Sequence, residues 1–146
     1  MIEKINIKIK LLHENAIIPT QGKKNDTCFD LIAVDVKYNE EYGYYEYSTG
    51  ICIQPPKEYA TRIYPRSSIR EKDLFLCNHV GNVDTDYINV ITCCFKQTKD
   101  NPRIYKIGDK IAQIDVFKRM EINFQPVENL EVRGNRIFGG YGHTGD

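Results

Sequence analysis

The chain has no tryptophan, no net charge, no long apolar run and no cysteine pair at metal-binding spacing. Its 20 Lys plus Arg balance 20 Asp plus Glu, and the pI is near 6.8. It therefore exerts no sequence-independent pull on a phosphate backbone or an anionic membrane. Nucleic acid and membrane are not expected partners. No stretch approaches the roughly 18 apolar residues of a membrane span. Met1 to Lys10 alternates Ile with Lys where a signal peptide needs an uninterrupted apolar core. A cytoplasmic protein, or one of the host cytoplasm if viral, is the expectation. The five cysteines (Cys28, Cys52, Cys77, Cys93 and Cys94) form no C-x-x-C pair and have no His partners at zinc spacing, which reads as reduced thiols. No internal repeat occurs.

The 146 residues suffice for one ordinary domain. At this length about two-thirds of the unfolded surface is buried, so neither disulfide nor metal is needed for a core. Alternation dominates, with Ile5, Ile7, Ile9 and Leu11 on one face and Asn6, Lys8 and Lys10 on the other. Similar runs recur at Tyr44–Tyr47, Thr49–Ile53, Tyr59–Tyr64, Val90–Phe95, Ile111–Phe117 and Glu121–Phe124, separated by Pro and Gly turns. The pattern predicts an all-β sandwich or barrel. Only Ser67–Leu76 has helical character, with Ser67 or Ser68 available as N-cap. Tyr38–Tyr47, rich in tyrosine and acidic residues, reads as an exposed amphipathic hairpin.

Five of the ten glycines lie between Gly134 and Gly145. Such a segment cannot offset its ordering entropy with a core of its own, and a frayed terminus is one reading. The other rests on its content, since an Arg, an aromatic, a hydroxyl and exposed amides are what closing over a nucleotide requires. Three further stretches are dense in polar groups: Thr27-Cys-Phe-Asp-Leu-Ile-Ala33, Tyr64-Pro-Arg-Ser-Ser-Ile69 and Asn78-His-Val-Gly-Asn-Val-Asp-Thr-Asp-Tyr87. Gly108-Asp-Lys-Ile-Ala-Gln113 and the glycine-rich tail complete the series.

In order and spacing these blocks resemble the motifs of the trimeric deoxyuridine triphosphatases (dUTPases), from Ala16 to Gly145. The resemblance implies a distorted jelly-roll-like β-barrel over residues 1–135 with one short helix. It also implies a flexible C-terminal arm, residues 136–146, closing a neighbouring subunit's active site in a homotrimer. The implied reaction is hydrolysis of dUTP to dUMP and pyrophosphate, which limits uracil in DNA and supplies dUMP for thymidylate synthesis. Arg66 offers a planar donor fork suited to phosphate oxygens, and Ser67 and Ser68 add donors at a helix start. Gln113 would add an amide donor, although it also fits the solvent face of a strand.

By the same resemblance Asp84 is the base that activates water, and Tyr87 packs on the deoxyribose. Asn78 and the backbone of a hairpin containing Gly81 and Val83 read the uracil edge. Asp30 lies near Mg²⁺ through water; this ion takes most of its ligands from substrate phosphates, so no protein cage is expected. In the tail Arg136 and Tyr141 match the family's Arg and stacking aromatic, while Gly142, His143 and Thr144 approach the γ-phosphate. Alone, Asp84 also fits a turn, Arg66 a surface ion pair, and His13 and His79 structural roles. Cys28, Ile88-Asn89-Val90, and Ile137 with Phe138 depart from the family pattern. Rival readings are a deoxycytidine triphosphate deaminase, a nucleotide-binding module without turnover, and a structural β-domain.

Overall fold

A computed structural model describes residues 1–135. The expected arm, with Arg136, Tyr141, Gly142, His143 and Thr144, lies outside the described residues. In chain order the strands are β1 (Lys8–Leu11), β2 (Phe29–Ile32), β3 (Asp35–Asn39), β4 (Tyr44–Ser48), β5 (Ile51–Gln54) and β6 (Tyr59–Tyr64). They continue with β7 (Leu74–Leu76), β8 (Gly81–Val83), β9 (Thr92–Gln97) and β10 (Lys110–Lys118), and a 3₁₀-helix covers Ser67–Glu71. They form two four-stranded antiparallel sheets, ordered β2-β10-β6-β8 and β3-β4-β9-β7, and a two-stranded sheet of β1 and β5.

All three sheets feed one core. Leu31, Ile63, Ile111 and Ile114 come from the first sheet, Tyr47, Leu76, Cys93 and Phe95 from the second, and Ile51 and Ile53 from β5. The aromatic centre is edge-on: Tyr47 lies 5.7 Å from Phe95 and 6.4 Å from Tyr105, and Phe95 lies 5.7 Å from Tyr105. Edge-to-face pairs of this kind add about 0.5–1.5 kcal/mol each beyond area burial. The Tyr47 hydroxyl, removed from water, donates to the Tyr105 carbonyl at 2.8 Å. Burial pushes its phenol up to about 12.

The all-β, jelly-roll-like expectation holds, but the sheets are not closed into a barrel. The chain instead changes sheet at corners. Ala33 donates to the Asp109 carbonyl beside β10 and Val34 to Ser48 of β4, which splits consecutive residues between two sheets. The next corner needs Gly50: its φ is +67°, and a Cβ there would sit 2.8 Å from His13 Cβ and 3.0 Å from Val34 Cγ2. Only glycine meets both conditions without strain.

Three local expectations need correcting. The helix is one 3₁₀ turn ending at Glu71, with Arg66 rather than a serine at its cap and no side-chain cap bond. Beyond it Leu74 and Leu76 are buried and Phe75 exposed, the period of a strand. Glu121–Phe124 forms no strand, and Ile122 and Phe124 are exposed, because alternation becomes a strand only where a ladder partner lies alongside. The expected hairpin around Asn78–Val90 is absent as well: β8 pairs with β6 and β9 with β4 and β7, so the intervening loop crosses between sheets. The tyrosine-rich hairpin is present as β3 and β4, joined by Asn39–Tyr44 pairing with Gly43 at φ +67°.

Candidate active site

Cross-strand register builds the first half of the site. Gln113 on β10 is paired with Asp30 on β2 and with Tyr64 on β6, so these three side chains share one face of the first sheet. The chain then leaves β6 through Pro65 and brings Arg66 back over Asp30. Arg66 Nε donates to Asp30 Oδ1 at 2.8 Å, while Lys110 Nζ stands 3.2 Å from Oδ2. The Asp30 side chain is only 11% exposed, so it acts as an anchor for two cations rather than as a free surface carboxylate. Arg66 Nη1 donates to Ser68 Oγ at 3.3 Å and to the Lys110 carbonyl at 3.4 Å. Among the described residues Nη2 has no protein acceptor, which leaves one arm of the fork for an incoming anion.

Two cations around one carboxylate give this cradle a positive balance, as a polyphosphate requires. Ser67 is exposed beside it. Gln113 Nε2 donates to the Pro65 carbonyl at 3.0 Å, so one amide proton is spent holding the turn before Arg66. A single 3₁₀ turn aligns too few peptides for an appreciable dipole, so the donors here are side chains and not a helix end.

The second half is a pocket of about 190 Å³. Asn78, Gly81, Val83, Asp84 and Tyr87 line it, bringing five of the expected residues together, and Ile63, Ile91 and Thr92 supply its floor and wall. A Cβ on Gly81 would meet Asn78 Nδ2 at 3.1 Å and Ile63 Cβ at 3.4 Å, so glycine lets the Asn78 amide lie across the backbone. The Tyr87 amide donates to the Asp84 carbonyl at 3.0 Å and its hydroxyl to the Val90 carbonyl at 2.9 Å, which stiffens the loop carrying Asp84. Asp84 is exposed, and among the described residues no cation pairs with it. It stands where this pocket meets a wider open groove of about 910 Å³, lined among others by Arg62, Asn82 and Phe117.

The two halves are set on opposite faces of the first sheet. Ile63, in the pocket, and Tyr64, in the Asp30–Gln113 row, are consecutive on β6 and point to opposite faces of the sheet. Lys110 and Tyr105 belong to the cradle although neither was singled out in sequence. Lys110 lay within the Gly108–Gln113 block, whereas Tyr105 gave no signal. Among the described residues no cluster of three or more His, Cys, Asp or Glu could hold a metal ion. The donor set nevertheless fits Mg²⁺ held mainly by phosphates and water, since the Asp30 carboxylate lies beside cationic phosphate donors and Asp84 stands exposed in the other half of the site. Burial raises the Cys28 thiol, with Asp115 and Asp30 adding to it, so Cys28 stays protonated beside the cradle. All five cysteines are free, and burial lifts Cys93 to about 12 and Cys94 to about 11.

Comparison with known proteins agrees. The dUTPase family model matches residues 14–145. The deoxyuridine 5'-triphosphate nucleotidohydrolase of Helicobacter pylori (strain P12) is 30% identical over 142 residues, covering 97% of each chain. That of Hydrogenobaculum sp. (strain Y04AAS1) is 29% identical over 143 residues, covering 97% of this chain and 99% of its own. Among solved structures, a mutant dUTPase of Staphylococcus bacteriophage 80alpha with dUpNHpp superimposes at a TM-score of 0.78 with 20% identity, over 97% of this chain and 99% of that one. A mutant dUTPase from phage phi11 of S. aureus, which coordinates a structural Mg(II) ion, gives 0.70 at 20% identity over 87% of this chain and 99% of its own. At such identity the structural likeness speaks for the fold alone.

Proposed function

The chain belongs to the dUTPase family, and on that premise we propose that it hydrolyses dUTP to dUMP and pyrophosphate at a site completed by a second copy of itself. One observation carries this reading: the described members of the motif blocks gather into a cationic cradle and a small pocket with an unpaired carboxylate at its rim.

Asn78 and the backbone from Gly81 to Val83 hold the uracil edge, and Tyr87 packs against the sugar. Arg66, Ser67, Ser68 and Gln113 of another copy hold the phosphates. Asp84 takes the proton of the water that attacks the α-phosphorus, the work of a positioned general base. Mg²⁺, when bound, would neutralise the phosphates and assist departure of pyrophosphate, with Asp30 touching its waters. Because Arg66 and Lys110 already hold both Asp30 oxygens, that carboxylate orients groups and does not abstract a proton.

Opposite faces for the cradle and pocket support a closed ring, and the family resemblance favours a homotrimer. Arg136, Tyr141, Gly142, His143 and Thr144 enter by sequence resemblance only, as an arm over the nucleotide. Limiting uracil in DNA and supplying dUMP for thymidylate synthesis are the physiological roles this reaction would serve. Pyrophosphate release from dUTP, dTTP, UTP and dCTP, with and without Mg²⁺, tests the proposal. Turnover should be confined to dUTP, since a filled pocket leaves no room for a 5-methyl group or a 2′-hydroxyl. Binding without turnover, or comparable rates on dTTP, would refute it.

A further inference from the structure

Tyr105 is a core residue with one polar atom in the cradle. The residue is 2% exposed, and the ring is held edge-on by Tyr47 and Phe95. Its carbonyl accepts the Tyr47 hydroxyl at 2.8 Å. Ring and backbone are thus fixed from the interior, while the phenol oxygen lies 3.3 Å from Ser68 Oγ. Ser68 Oγ also accepts from Arg66 Nη1 at 3.3 Å, and Arg66 is itself anchored on Asp30. A continuous chain of contacts therefore runs from the aromatic core to the cationic fork.

A serine hydroxyl has one proton and two acceptor positions. If Ser68 donated to Tyr105, its only proton would be spent on the phenol, and the phenol proton would need another acceptor, which no described residue provides. With Tyr105 donating, both Ser68 acceptor positions are filled, by the phenol and by Arg66, and the serine O–H turns outward. Burial raises the Tyr105 phenol, outweighing the opposing pull of Ser68 and Arg66, so it remains a donor through the neutral range.

We propose that Tyr105 is a positioning residue of the phosphate cradle, donating to Ser68 so that the serine hydroxyl is presented to a phosphate oxygen of the nucleotide. The assignment rests on the reading of Arg66 and Ser68 as phosphate donors and extends it to a side chain that does not touch substrate. A purely structural Tyr105 would owe its importance to its ring, which phenylalanine preserves.

The experiment is a double-mutant cycle in the full-length protein with Tyr105→Phe, Ser68→Ala, their combination and Arg66→Lys. Each is assayed for dUTP turnover, inhibition by inorganic triphosphate and thermal midpoint. Tyr105→Phe should raise KM for dUTP and weaken triphosphate inhibition by about two- to tenfold, the scale of one net hydrogen bond, with kcat within about twofold and the midpoint nearly unchanged. The double variant should bind no worse than Ser68→Ala alone. Parent-like KM and inhibition in Tyr105→Phe, or losses that multiply in the double variant, overturn the assignment. Should Ser68→Ala and Arg66→Lys themselves leave both quantities unchanged, the phosphate-cradle reading falls and the role of Tyr105 with it. If they raise them and Tyr105→Phe does not, the role of Tyr105 alone is refuted.

Discussion

Replacing Asp30 with alanine sets two effects against each other. The substitution removes the anchor of Arg66 and Lys110, and it raises the net charge of the trio from one to two. Attraction of the substrate therefore increases while aim is lost. An added unit charge ~7 Å from a triphosphate of about three charges is worth ~2 kcal/mol in unscreened water and under ~1 kcal/mol at physiological salt. The lost anchor is a 2.8 Å charge-assisted bond to an Asp30 side chain only 11% exposed. Such bonds contribute about 1.5–3 kcal/mol. Loss of aim should win by about 1–2 kcal/mol, so kcat/KM for dUTP falls by about 5- to 30-fold. Steady-state assays at about 0.15 M and 0.5 M salt read this out, and the deficit should widen at the higher salt as the compensating attraction is screened. A kcat/KM equal to or above that of the parent at the lower salt would show that Asp30 does not aim Arg66.

Asp84→Asn should reduce turnover by a factor on the order of a hundred or more while a non-hydrolysable dUTP analogue binds within a few-fold of parent affinity; near-normal turnover would remove Asp84 as the base. Asp73 takes three hydrogen bonds from Arg103, two side-chain and one backbone, and lies 3.7 Å from Lys99 Nζ. The Arg103 hydrogen bonds hold its carboxyl well below the ordinary carboxylate range. Stability from this pair is therefore present above the unfolded pKa and is lost as pH falls through the lower folded value. Urea midpoints should separate Asp73→Asn from the parent at about pH 7 and converge as the solution is acidified; a pH-independent gap would assign the effect to packing instead. A chain ending at Asn135 should keep its oligomeric state and nearly lose turnover, and full activity in that chain would exclude the terminal segment from the reaction.

Much of the fold was legible because alternating residues faced a core on one side only. The runs at Tyr44, Tyr59 and Ile111 became β4, β6 and β10 with small changes at their ends. Phe29–Ile32 and Gly81–Val83 do not read as strands because polar motif residues, Asp30 and Asn82, sit at their centres, and Leu74–Leu76 because it closes the stretch Ser67–Leu76 that has helical character. Glu121–Phe124 had the period and lacked the partner. In the site, Arg66, Asp84 and Gln113 were legible through the order and spacing of the motif blocks, since each residue type alone also fits an ion pair, a turn or the solvent face of a strand. The register that sets Asp30, Gln113 and Tyr64 side by side depends on strands more than thirty residues apart in sequence and could not be read locally. Tyr105 was hidden for another reason. Its ring belongs to the core, and its function lies in a single oxygen.

The central claim is that cradle and pocket come from different copies of the chain, and subunit mixing tests it most directly. Arg66→Ala lacks a working cradle and Asp84→Asn lacks a working pocket, so each assembled alone should be nearly inactive. Dissociated, mixed in equal amounts and reassembled, they should regain about a quarter of parental activity, the share of shared sites that combine an intact cradle with an intact pocket in a closed ring. No recovery in mixed assemblies, with exchange of subunits verified by mass, would place both halves of the site on one chain and contradict the account.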